Sequence, residues 1–296
     1  MNQTLYITGG TGFIGRSVVE RFLNLGFFVY LQTRSPESKI DRDYLKHVNS
    51  PAKIDRKIDL LINLAGKPLA TRWTEKSKTQ IYQSRVTFTY SLFEAFSQIP
   101  EFAPTKVLST SAIGYYRAGS EPHTENSAKG AGFSAKLCND WEEAAQQFEK
   151  IGASVSVLRL GVVLDKEGGS LKAMLPSFKL CLGAKLGSGT QWFSWIGLED
   201  LLRLYTYCFE TDDLPPAINA VAPNPVTNEE FTRLLASALH RPALFRAPKF
   251  LLKAILGEGA EDFLLANLRV VPDFLSTKEF QFRNPDLASL FSENLP

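Results

Sequence analysis

Three glycines in the run Gly9-Gly-Thr-Gly-Phe-Ile-Gly15 have the spacing of a loop that binds the pyrophosphate of a dinucleotide. Gly9 allows a tight turn, Gly12 lets the backbone approach a phosphate, and Gly15 lets the following helix pack against the strand. A helix that begins here directs its free N–H groups and the positive end of its dipole at the phosphates. The alternative is a glycine turn that binds nothing.

The segments on both sides of the loop favour binding. Residues 4–8 are short, apolar and β-branched, as a buried parallel strand is. In residues 16–25 the apolar side chains recur at helical spacing, at Val18, Val19, Phe22 and Leu23. Strand, glycine turn and helix together are the context that a dinucleotide-binding loop needs.

The end of the second predicted strand, residues 27–33, bears on the choice of cofactor. An NAD site usually has Asp or Glu here to hold the ribose 2′-hydroxyl, whereas this chain has Gln32, Thr33 and Arg34. The guanidinium of Arg34 is planar and permanently charged, which suits a 2′-phosphate. The alternative is that Arg34 is an ordinary solvated arginine with no role in cofactor binding. Its position favours the phosphate, so we predict NADP(H) as the cofactor.

Strands alternate with helices as far as residue 161. Further strands are predicted at 59–66, 106–111 and 154–161, with helices at 75–98 and around Trp141, and a loop with a short helix at 36–57. This alternation predicts an α/β fold with a Rossmann-type doubly wound parallel sheet. The ends of its strands, where Asn63 and Gly66 lie, are where such sheets bind ligands.

The sequence changes character after Gly161. Glycines mark loops, and we predict a helix at 198–209, a strand at 217–222 and a helix at 231–240 opened by a capping box. We also predict two helical pieces within 248–270, broken at Gly257 and Gly259, and a short strand or extended segment at 279–282. We therefore expect a Rossmann domain at 1–165, to which elements from residues 196–222 also belong. A small, mainly helical lobe at 166–296 is expected on the substrate side. Trp192 and Trp195 either line its cleft or, the favoured interpretation, pack in its core.

Composition narrows the class of protein. Lys plus Arg is 33 and Asp plus Glu is 31, a net charge of +2 without a basic half, so neither nucleic acid nor a membrane is expected as a partner. Because a strand begins so close to Met1, no targeting segment is expected. The three scattered cysteines are typical of a reducing compartment, which predicts a cytoplasmic location. Cysteines and histidines show no metal-ligand spacing, so no metal site is predicted.

Motifs along almost the whole chain resemble the extended short-chain dehydrogenase/reductase superfamily, and most closely its atypical "epimerase family" branch. The matching stretches are 9–15, Asn63-Leu-Ala-Gly66, Ser84-Arg85, Ser109-Thr-Ser-Ala-Ile-Gly-Tyr-Tyr116, Trp141-Glu142, Arg159-Leu-Gly-Val-Val-Leu164, 187–196 and 219–231. The resemblance implies an NADP(H)-binding Rossmann domain with a small C-terminal lobe that closes over the nicotinamide.

Residue by residue, the resemblance implies the following cofactor contacts: Gly9, Thr11, Gly12, Phe13, Ile14 and Gly15 at the pyrophosphate, Thr33 and Arg34 at the adenosine phosphate, Leu64, Ala65 and Gly66 beside the ribose, and Arg85 and Val162 nearby. The chain departs from the branch at Gly197, where a histidine is usual, and at Lys67, where an acidic residue is common. Both departures lie near the expected cleft and leave the substrate open.

The superfamily moves a hydride with a Ser or Thr, a Tyr and a Lys. The charge of the Lys lowers the Tyr pKa from about 10, so that the phenol exchanges protons near neutrality. Ser111 matches the serine and Lys136 is the natural lysine, but Gly132 stands four residues before Lys136, where the tyrosine is expected. Phe133 beside it has no hydroxyl. The usual proton donor is therefore absent.

Two tyrosines follow Ser111 and offer a substitute phenol, Tyr115 and Tyr116. We predict a catalytic set of Ser111, Tyr115 and Lys136. The alternatives are that both tyrosines only pack, that Ser111 is a hydrogen bonder at a strand end, and that Lys136 is a solvated residue near Asp140.

Three hypotheses remain for the function. The first is an NADP-dependent oxidoreductase or nucleotide-sugar epimerase-like enzyme that acts on a small carbonyl or sugar-like substrate, as a monomer or homodimer. The second is a non-catalytic NADP(H)-binding sensor or regulatory protein. The third is a scaffold that has lost its cofactor, which the retained glycines and Arg34 oppose.

Overall fold

The computed structural model describes residues 3–39, 41–69, 71–257, 259–278 and 280–295. The strands are β1 (Thr4–Thr8), β2 (Phe28–Gln32), β3 (Leu45–Val48), β4 (Leu60–Asn63), β5 (Lys106–Ala112), β6 (Gly119–His123), β7 (Ser154–Leu160), β8 (Val162–Asp165), β9 (Ala184–Leu186), β10 (Trp192–Phe193), β11 (Trp195–Gly197), β12 (Ala217–Ala220), β13 (Val226–Thr227), β14 (Phe245–Ala247) and β15 (Leu268–Val270). The α-helices are α1 (Phe13–Asn24), α2 (Glu75–Tyr82), α3 (Phe88–Ser97), α4 (Gly132–Gln146), α5 (Gly169–Lys179), α6 (Leu198–Glu210), α7 (Asn228–Ala238), α8 (Lys249–Leu256), α9 (Asp273–Thr277) and α10 (Leu287–Asn294).

Seven strands form the central sheet in the order β12-β7-β5-β4-β1-β2-β3. Every pair in it is parallel, so the carboxyl ends of all seven strands meet at one edge. The chain leaves β1 toward β2 on one side and returns to β4 on the other. This reversal is the topological switch point at which doubly wound sheets bind ligands, and it confirms the predicted fold class.

Helices cover both faces of the sheet. On one face α1 and α6 pack their apolar stripes against the strands, with Val18, Phe22, Leu201 and Tyr205 fully buried. On the other face α3, α4 and the turn after α4 do the same, with Leu92, Phe96, Ala145 and Phe148. Burial on both faces explains why the central strands are continuously apolar rather than alternating.

The predicted helix at 75–98 is interrupted by a π-helical turn. It forms α2 and α3, and a π-helical turn at Gln83–Thr87 joins them. π-helical turns inside helices occur frequently at functional sites. This turn carries Arg85, one of the predicted cofactor residues.

Two parts of the predicted secondary structure were wrong. Residues 36–57 contain β3, which pairs with β2 at the edge of the sheet. Within 248–270, the last three residues form β15, which pairs with β6 rather than continuing a helix. Both strands are short and owe their hydrogen bonds to partners far along the chain, so local periodicity does not reveal them. Of the predicted extended segment at 279–282, Glu279 lies outside the described residues, and 280–282 form no strand.

Small pairings join the C-terminal segments to the strand ends of the central sheet. β11 pairs with β8 and β15 with β6, both in parallel, while β12 completes the central sheet itself. Buried Asp200 of α6 accepts hydrogen bonds from the backbone N–H groups of Arg283 and Asn284, at 2.6 and 2.9 Å. None of the helices in the described part of the chain is long and apolar enough to cross a bilayer.

A buried lysine closes the end of α6. Lys106 at the start of β5 is 9% exposed, and its Nζ donates to the carbonyl oxygens of Cys208, Phe209 and Thr211 at 3.1, 2.7 and 2.6 Å. The last carbonyls of a helix have no partner within the helix, so a cation here satisfies them and complements the helix dipole.

We expect Lys106→Met to lower the free energy of unfolding by roughly 2–3 kcal/mol, because the three carbonyls lose a charged donor. Chemical denaturation measures this change. The matched control is Lys53→Met at an exposed position, expected to stay within about 0.5 kcal/mol of the parent. Equal effects of the two substitutions would show that the three carbonyls are satisfied by water.

Candidate functional site

The glycine loop joins β1 to α1 at the switch point, and its glycines are required by close contacts. Gly9 has a φ of +68°, and a Cβ added there would lie 2.5 Å from the carbonyl oxygen of Leu64. A Cβ on Gly15 would lie 2.3 Å from the carbonyl oxygen of Gly9. Gly12 is the N-cap of α1 and caps it with no side chain, so the first N–H groups of the helix stay available. This end of α1 is therefore a ready anion site.

The remaining loop residues border the same space. Thr11 is exposed, while Phe13 and Ile14 are half-buried and pack against the core beneath α1. The ring of Phe13 lies so close to Gly168 that a Cβ there would be 2.0 Å from it. Phe13 thereby connects the glycine loop to the start of α5.

The end of β2 presents a cation, Arg34, that has no ion-pair partner among the described residues. The amide of Gln32 is engaged, since it accepts from the Tyr6 hydroxyl and donates to the Asn49 carbonyl, both at 3.0 Å. Thr33 donates its N–H to the Val48 carbonyl at 2.8 Å. The Arg34 side chain is exposed, and no carboxylate of the described residues is within ion-pair distance of it. It remains available to an added anion.

A second cation, Arg85, lies against the loop that follows β4 and has no ion pair with any residue that the structure describes. The Arg85 guanidinium is 8% exposed and lies against Gly66, where an added Cβ would be 2.9 Å from its Cζ. Its side-chain hydrogen bond is a long one, 3.4 Å to the Ser84 Oγ, and it stands over the Trp141 ring at 5.3 Å. Burial lowers the pKa of Arg85 to about 10. A buried cation without a carboxylate is costly, which indicates that an anion or polar ligand completes this site.

Leu64 and Ala65 continue from β4 between these two features, half-buried beside Gly66. Below them, the side chain of Asn63 connects three strand ends. It accepts from Thr8 Oγ1 at 2.7 Å and donates to Thr89 Oγ1 at 2.8 Å and to Ser109 Oγ at 3.3 Å. The sequence placed Asn63 at this edge but did not reveal that it fixes β1, β4 and β5 relative to one another.

Ser111, at the end of β5, is 2% exposed and already has a partner. Its Oγ donates to Glu142 Oε1 at 2.6 Å. Glu142 in turn forms a two-point ion pair with Arg159, from Nε at 2.9 Å and from Nη2 at 2.7 Å. Both charged groups are nearly inaccessible, at 7% and 5% exposure. The hydroxyl hydrogen of Ser111 is thus committed to a carboxylate.

The two candidate tyrosines differ in their surroundings. Tyr116 is buried; its hydroxyl donates to Asn219 Oδ1 at 2.7 Å and accepts from Arg159 Nη1 at 2.8 Å. Burial raises the Tyr116 pKa to about 12, which makes it a poor acid at neutral pH. Tyr115 is half-buried, and the Arg159 guanidinium lies 3.6 Å from its ring centroid. Of the two phenols, Tyr115 is the accessible one.

Lys136 does not join Ser111 and Tyr115. Its side chain is 70% exposed, forms an ion pair with Asp140 and lies 5.7 Å from the Tyr82 ring centroid. The hydrogen bond to Asp140 raises the pKa of Lys136. Gly132, at the position expected for tyrosine, is exposed with a φ of +89°. Of the three residues predicted for catalysis, Ser111 and Tyr115 thus contact the same Glu142–Arg159 pair, whereas Lys136 does not.

Val162 marks the boundary between the sheet and the C-terminal segments. Its N–H donates to the Ser194 carbonyl at 3.0 Å. The Oγ of Ser194 donates to the Leu268 carbonyl and accepts from the Val270 N–H, both at 2.9 Å. Trp195 is fully buried, as the core interpretation predicted. Trp192 instead is half-buried, and the Arg269 guanidinium lies over it, 4.5 Å from the centroid of the Trp192 ring.

Sequence reasoning missed the roles of Glu142 and Arg159, although both lay in matching motifs. The available signal was an arginine inside an otherwise apolar buried strand, because such a charge requires a buried partner. The two positions at which the chain departs from the epimerase family branch contact only nearby protein groups among the described residues. Gly197 is buried against Leu290, and the Lys67 ammonium donates a hydrogen bond to the Gln80 side chain. Within the described ranges no group of His, Cys, Asp and Glu is arranged to hold a metal ion.

Comparison with known proteins agrees with this geometry. The model of the NAD dependent epimerase/dehydratase family matches residues 5–220, and a domain of unknown function, DUF1731, matches residues 247–293. The chloroplastic epimerase family protein SDR39U1 homolog of Arabidopsis thaliana is 36% identical over 298 residues, covering 95% of this chain and 83% of that protein.

Two solved structures are similar over nearly the whole chain. Human epimerase family protein SDR39U1, crystallised with NADPH, has a TM-score of 0.88 at 29% identity and 99% coverage of both chains. The nucleoside-diphosphate sugar epimerase of Corynebacterium glutamicum has a TM-score of 0.78 at 31% identity, covering all of this chain and 58% of that one. The glycine loop, the parallel sheet and these matches together show that this chain belongs to the NAD dependent epimerase/dehydratase family, with its NAD(P)-binding Rossmann-type fold.

Proposed function

We propose that this protein is an NADP(H)-dependent oxidoreductase, or epimerase-like enzyme, acting on a small carbonyl or sugar-like substrate. One observation carries the proposal: Ser111, near the carboxyl end of β5, and the accessible phenol of Tyr115, in the turn after β5, lie at the same edge of the sheet as the glycine loop. The proposed compartment is the cytoplasm, on the grounds that Cys138, Cys181 and Cys208 are free thiols.

The cofactor preference rests on charge. Arg34 offers an exposed guanidinium, with no ion pair to the described residues, where the ribose 2′-position is expected, and the amide of nearby Gln32 is already engaged. Arg85 offers a second, buried cation beside Gly66. That the human relative was crystallised with NADPH supports the same preference.

The chain's own residues handle the proton. When bound, NADPH supplies a hydride to a carbonyl carbon. The oxygen then needs a proton, and Ser111 cannot readily supply one because its hydrogen is held by Glu142. The phenol of Tyr115 donates it instead, and the Arg159 cation against its ring stabilises the negative charge that develops. The Ser111 Oγ can still accept a hydrogen bond from a hydroxyl group of a sugar-like substrate, and this bond orients the substrate.

Lys136 keeps a subordinate place in this scheme. We propose that it holds the nicotinamide ribose and adds positive charge to the cleft. To do so its ammonium must exchange Asp140 for the ribose, which is inexpensive because the Lys136 side chain is largely exposed and Asp140 keeps the Tyr82 hydroxyl as a donor.

A specific observation favours a second candidate, a non-catalytic NADP(H)-binding sensor. The tyrosine position is Gly132, and the hydroxyl hydrogen of Ser111 is taken up by a buried ion pair. Neither feature affects the residues proposed to bind the cofactor, but both weaken proton transfer to the substrate. Proton transfer by a positioned side chain typically raises the reaction rate by a factor of about 10² to 10⁴.

The first prediction is a preference for NADPH over NADH of roughly tenfold to a hundredfold, the value of one charge-assisted hydrogen bond. Arg34→Ala should abolish it with little change in NADH affinity, as measured by calorimetric titration. Arg56→Ala is the matched control, since Arg56 is half-exposed beside Asp55, outside the glycine loop. Equal affinities for both cofactors, or a preference retained in Arg34→Ala, would contradict the assignment.

The second prediction concerns proton transfer. Tyr115→Phe should lower NADPH-dependent turnover by about 10²-fold or more, and Ser111→Ala should lower it as well. Neither should weaken NADPH binding, since neither contacts the phosphates. Tyr90→Phe, at a surface tyrosine on α3, is the control.

The rate of NADPH oxidation with a panel of ketones and nucleotide sugars provides the measurement. Full turnover in both variants would mean that another group is the acid. Tight NADPH binding without turnover of any carbonyl substrate would favour the sensor.

The third prediction is that residues 187–196 lie over the nicotinamide end of the cofactor. Val162 borders this segment through Ser194, so closure on NADPH should slow amide hydrogen exchange there. Protection at residues 9–15 is the internal control for binding. Protection at the glycine loop alone would place this segment away from the cofactor.

A further inference from the structure

Exposed apolar side chains are concentrated in one part of the molecule. Of nine large apolar residues that the described part of the chain exposes, six lie in two segments of the C-terminal lobe. Their exposed fractions run from 46% to 87%, at Leu180, Leu182, Leu244, Phe245, Phe250 and Leu251. Side chains this exposed protrude from the surface, and a cluster of them marks an interaction site.

The fold brings these two segments together. β14 pairs in parallel with β9, so that Phe245 lies opposite Ala184. At the end of that pair, the Gly187 N–H donates to the Ala247 carbonyl at 2.9 Å, and a Cβ on Gly187 would be 3.3 Å from Lys249 Cγ. The start of α8 therefore adjoins the end of β9. All six residues lie in one of the two paired strands or within four residues of it along the chain, and we call the region around this strand pair the lobe face.

The lobe face is also cationic. Residues 168–198 and 231–257 contain no Asp or Glu, although the whole chain has 31 acidic residues. The same two stretches contain Lys172, Lys179, Lys185, Arg233, Arg241, Arg246, Lys249 and Lys253. Among the described residues two of these cations form ion pairs, Lys185 with Glu229 and Lys253 with Glu261, both at 2.6 Å. Lys253, and more weakly Lys249, lower the pKa of Glu261. Cations still exceed anions across this region.

Helix α8 has the composition of a helix that lies at a lipid interface. Its sequence is Lys-Phe-Leu-Leu-Lys-Ala-Ile-Leu, with lysines at the first and fifth positions. Leu252 is buried against the lobe, whereas Phe250 is 75% exposed and Leu251 46% exposed. Exposed Phe and Leu between lysines insert at the boundary of headgroups and acyl chains, while the lysines meet anionic headgroups.

We propose that the lobe face docks this protein on an anionic phospholipid surface. Charge complementarity distinguishes between a second copy of this chain and a bilayer as the partner of the lobe face. A second copy related by a twofold axis would bring two positive surfaces together, which is unfavourable. A bilayer accepts protruding side chains without needing a matching pocket, and an anionic leaflet attracts each cation near it.

This proposal revises the expectation that a membrane is not a partner. That expectation rested on a net charge of +2, which averages over the whole chain. Pairing of β9 with β14 brings together two acid-free segments that are well separated in sequence. The asymmetry exists only in the folded protein.

Vesicle sedimentation tests the proposal. The full chain is mixed with phosphatidylcholine vesicles, with or without phosphatidylglycerol, at low and high salt. We expect binding only to the vesicles that contain phosphatidylglycerol, weakening as salt rises. Leu244→Ser/Phe250→Ser should weaken binding by roughly tenfold or more, since two large apolar side chains lose their insertion. Lys179→Gln/Arg241→Gln should weaken it and reduce its salt dependence.

The control is Leu25→Ser/Tyr90→Ser, which removes exposed apolar residues at 50% and 38% exposure from outside the lobe face. It should bind like the parent, and circular dichroism verifies that all variants are folded. Absence of binding, equal binding to neutral vesicles, or full binding by both lobe-face variants would overturn the proposal. So would concentration-dependent self-association in sedimentation velocity that Leu244→Ser/Phe250→Ser abolishes, because the face would then be a contact between copies.

Discussion

The buried ion pair between Glu142 and Arg159 is the constraint on which the site depends. It joins α4 to β7 and accepts a hydrogen bond from the hydroxyl of Ser111 in β5. Hydrogen bonds from Arg159 to Tyr116 and from Tyr116 to Asn219 extend it to β12. Removing two charges from water is expensive, and the cost is offset only if their hydrogen-bonding groups are satisfied. Here the carboxylate accepts from Arg159 and Ser111, and the guanidinium also donates to the Glu125 carbonyl. The network thereby ties α4, β5, β7 and β12 together at this edge, with Ser111 bound to its carboxylate and the Tyr115 ring packed against its guanidinium.

Arginines at this edge of the sheet fall into two groups. Arg159 is fully paired and serves the architecture, whereas Arg34 and Arg85 have no carboxylate within reach in the described part of the chain. Unpaired cations around an open helix N-terminus make the edge electropositive, which is what a phosphorylated dinucleotide requires. The division leaves cations available for an anionic ligand at the same edge where a paired arginine holds the strands together.

The chemistry that this edge supports differs from that of a tyrosine–lysine pair on one helix. Lys136 faces solvent, and the position one helical turn before it is Gly132. A cation still lies against a phenol, but it is Arg159 from the sheet against Tyr115 from the loop after β5. Because the cation belongs to the buried network, its position is set by the fold rather than by the cofactor. The same arrangement is compatible with catalysis and with binding alone, depending on whether Tyr115 reaches a substrate oxygen.

The sequence by itself determined the glycine loop, the alternation of strands and helices, and Arg34 at the end of β2. These signals are local: a glycine needs a backbone conformation, and a strand buried on both faces needs apolar residues throughout. Tertiary structure alone decided that Ser111 binds Glu142, that Tyr116 is buried while Tyr115 is accessible, and that Lys136 points to solvent. It also decided β3 and β15, and the cationic lobe face. Each depends on partners distant along the chain, and neither spacing nor composition records which distant residues the fold brings into contact.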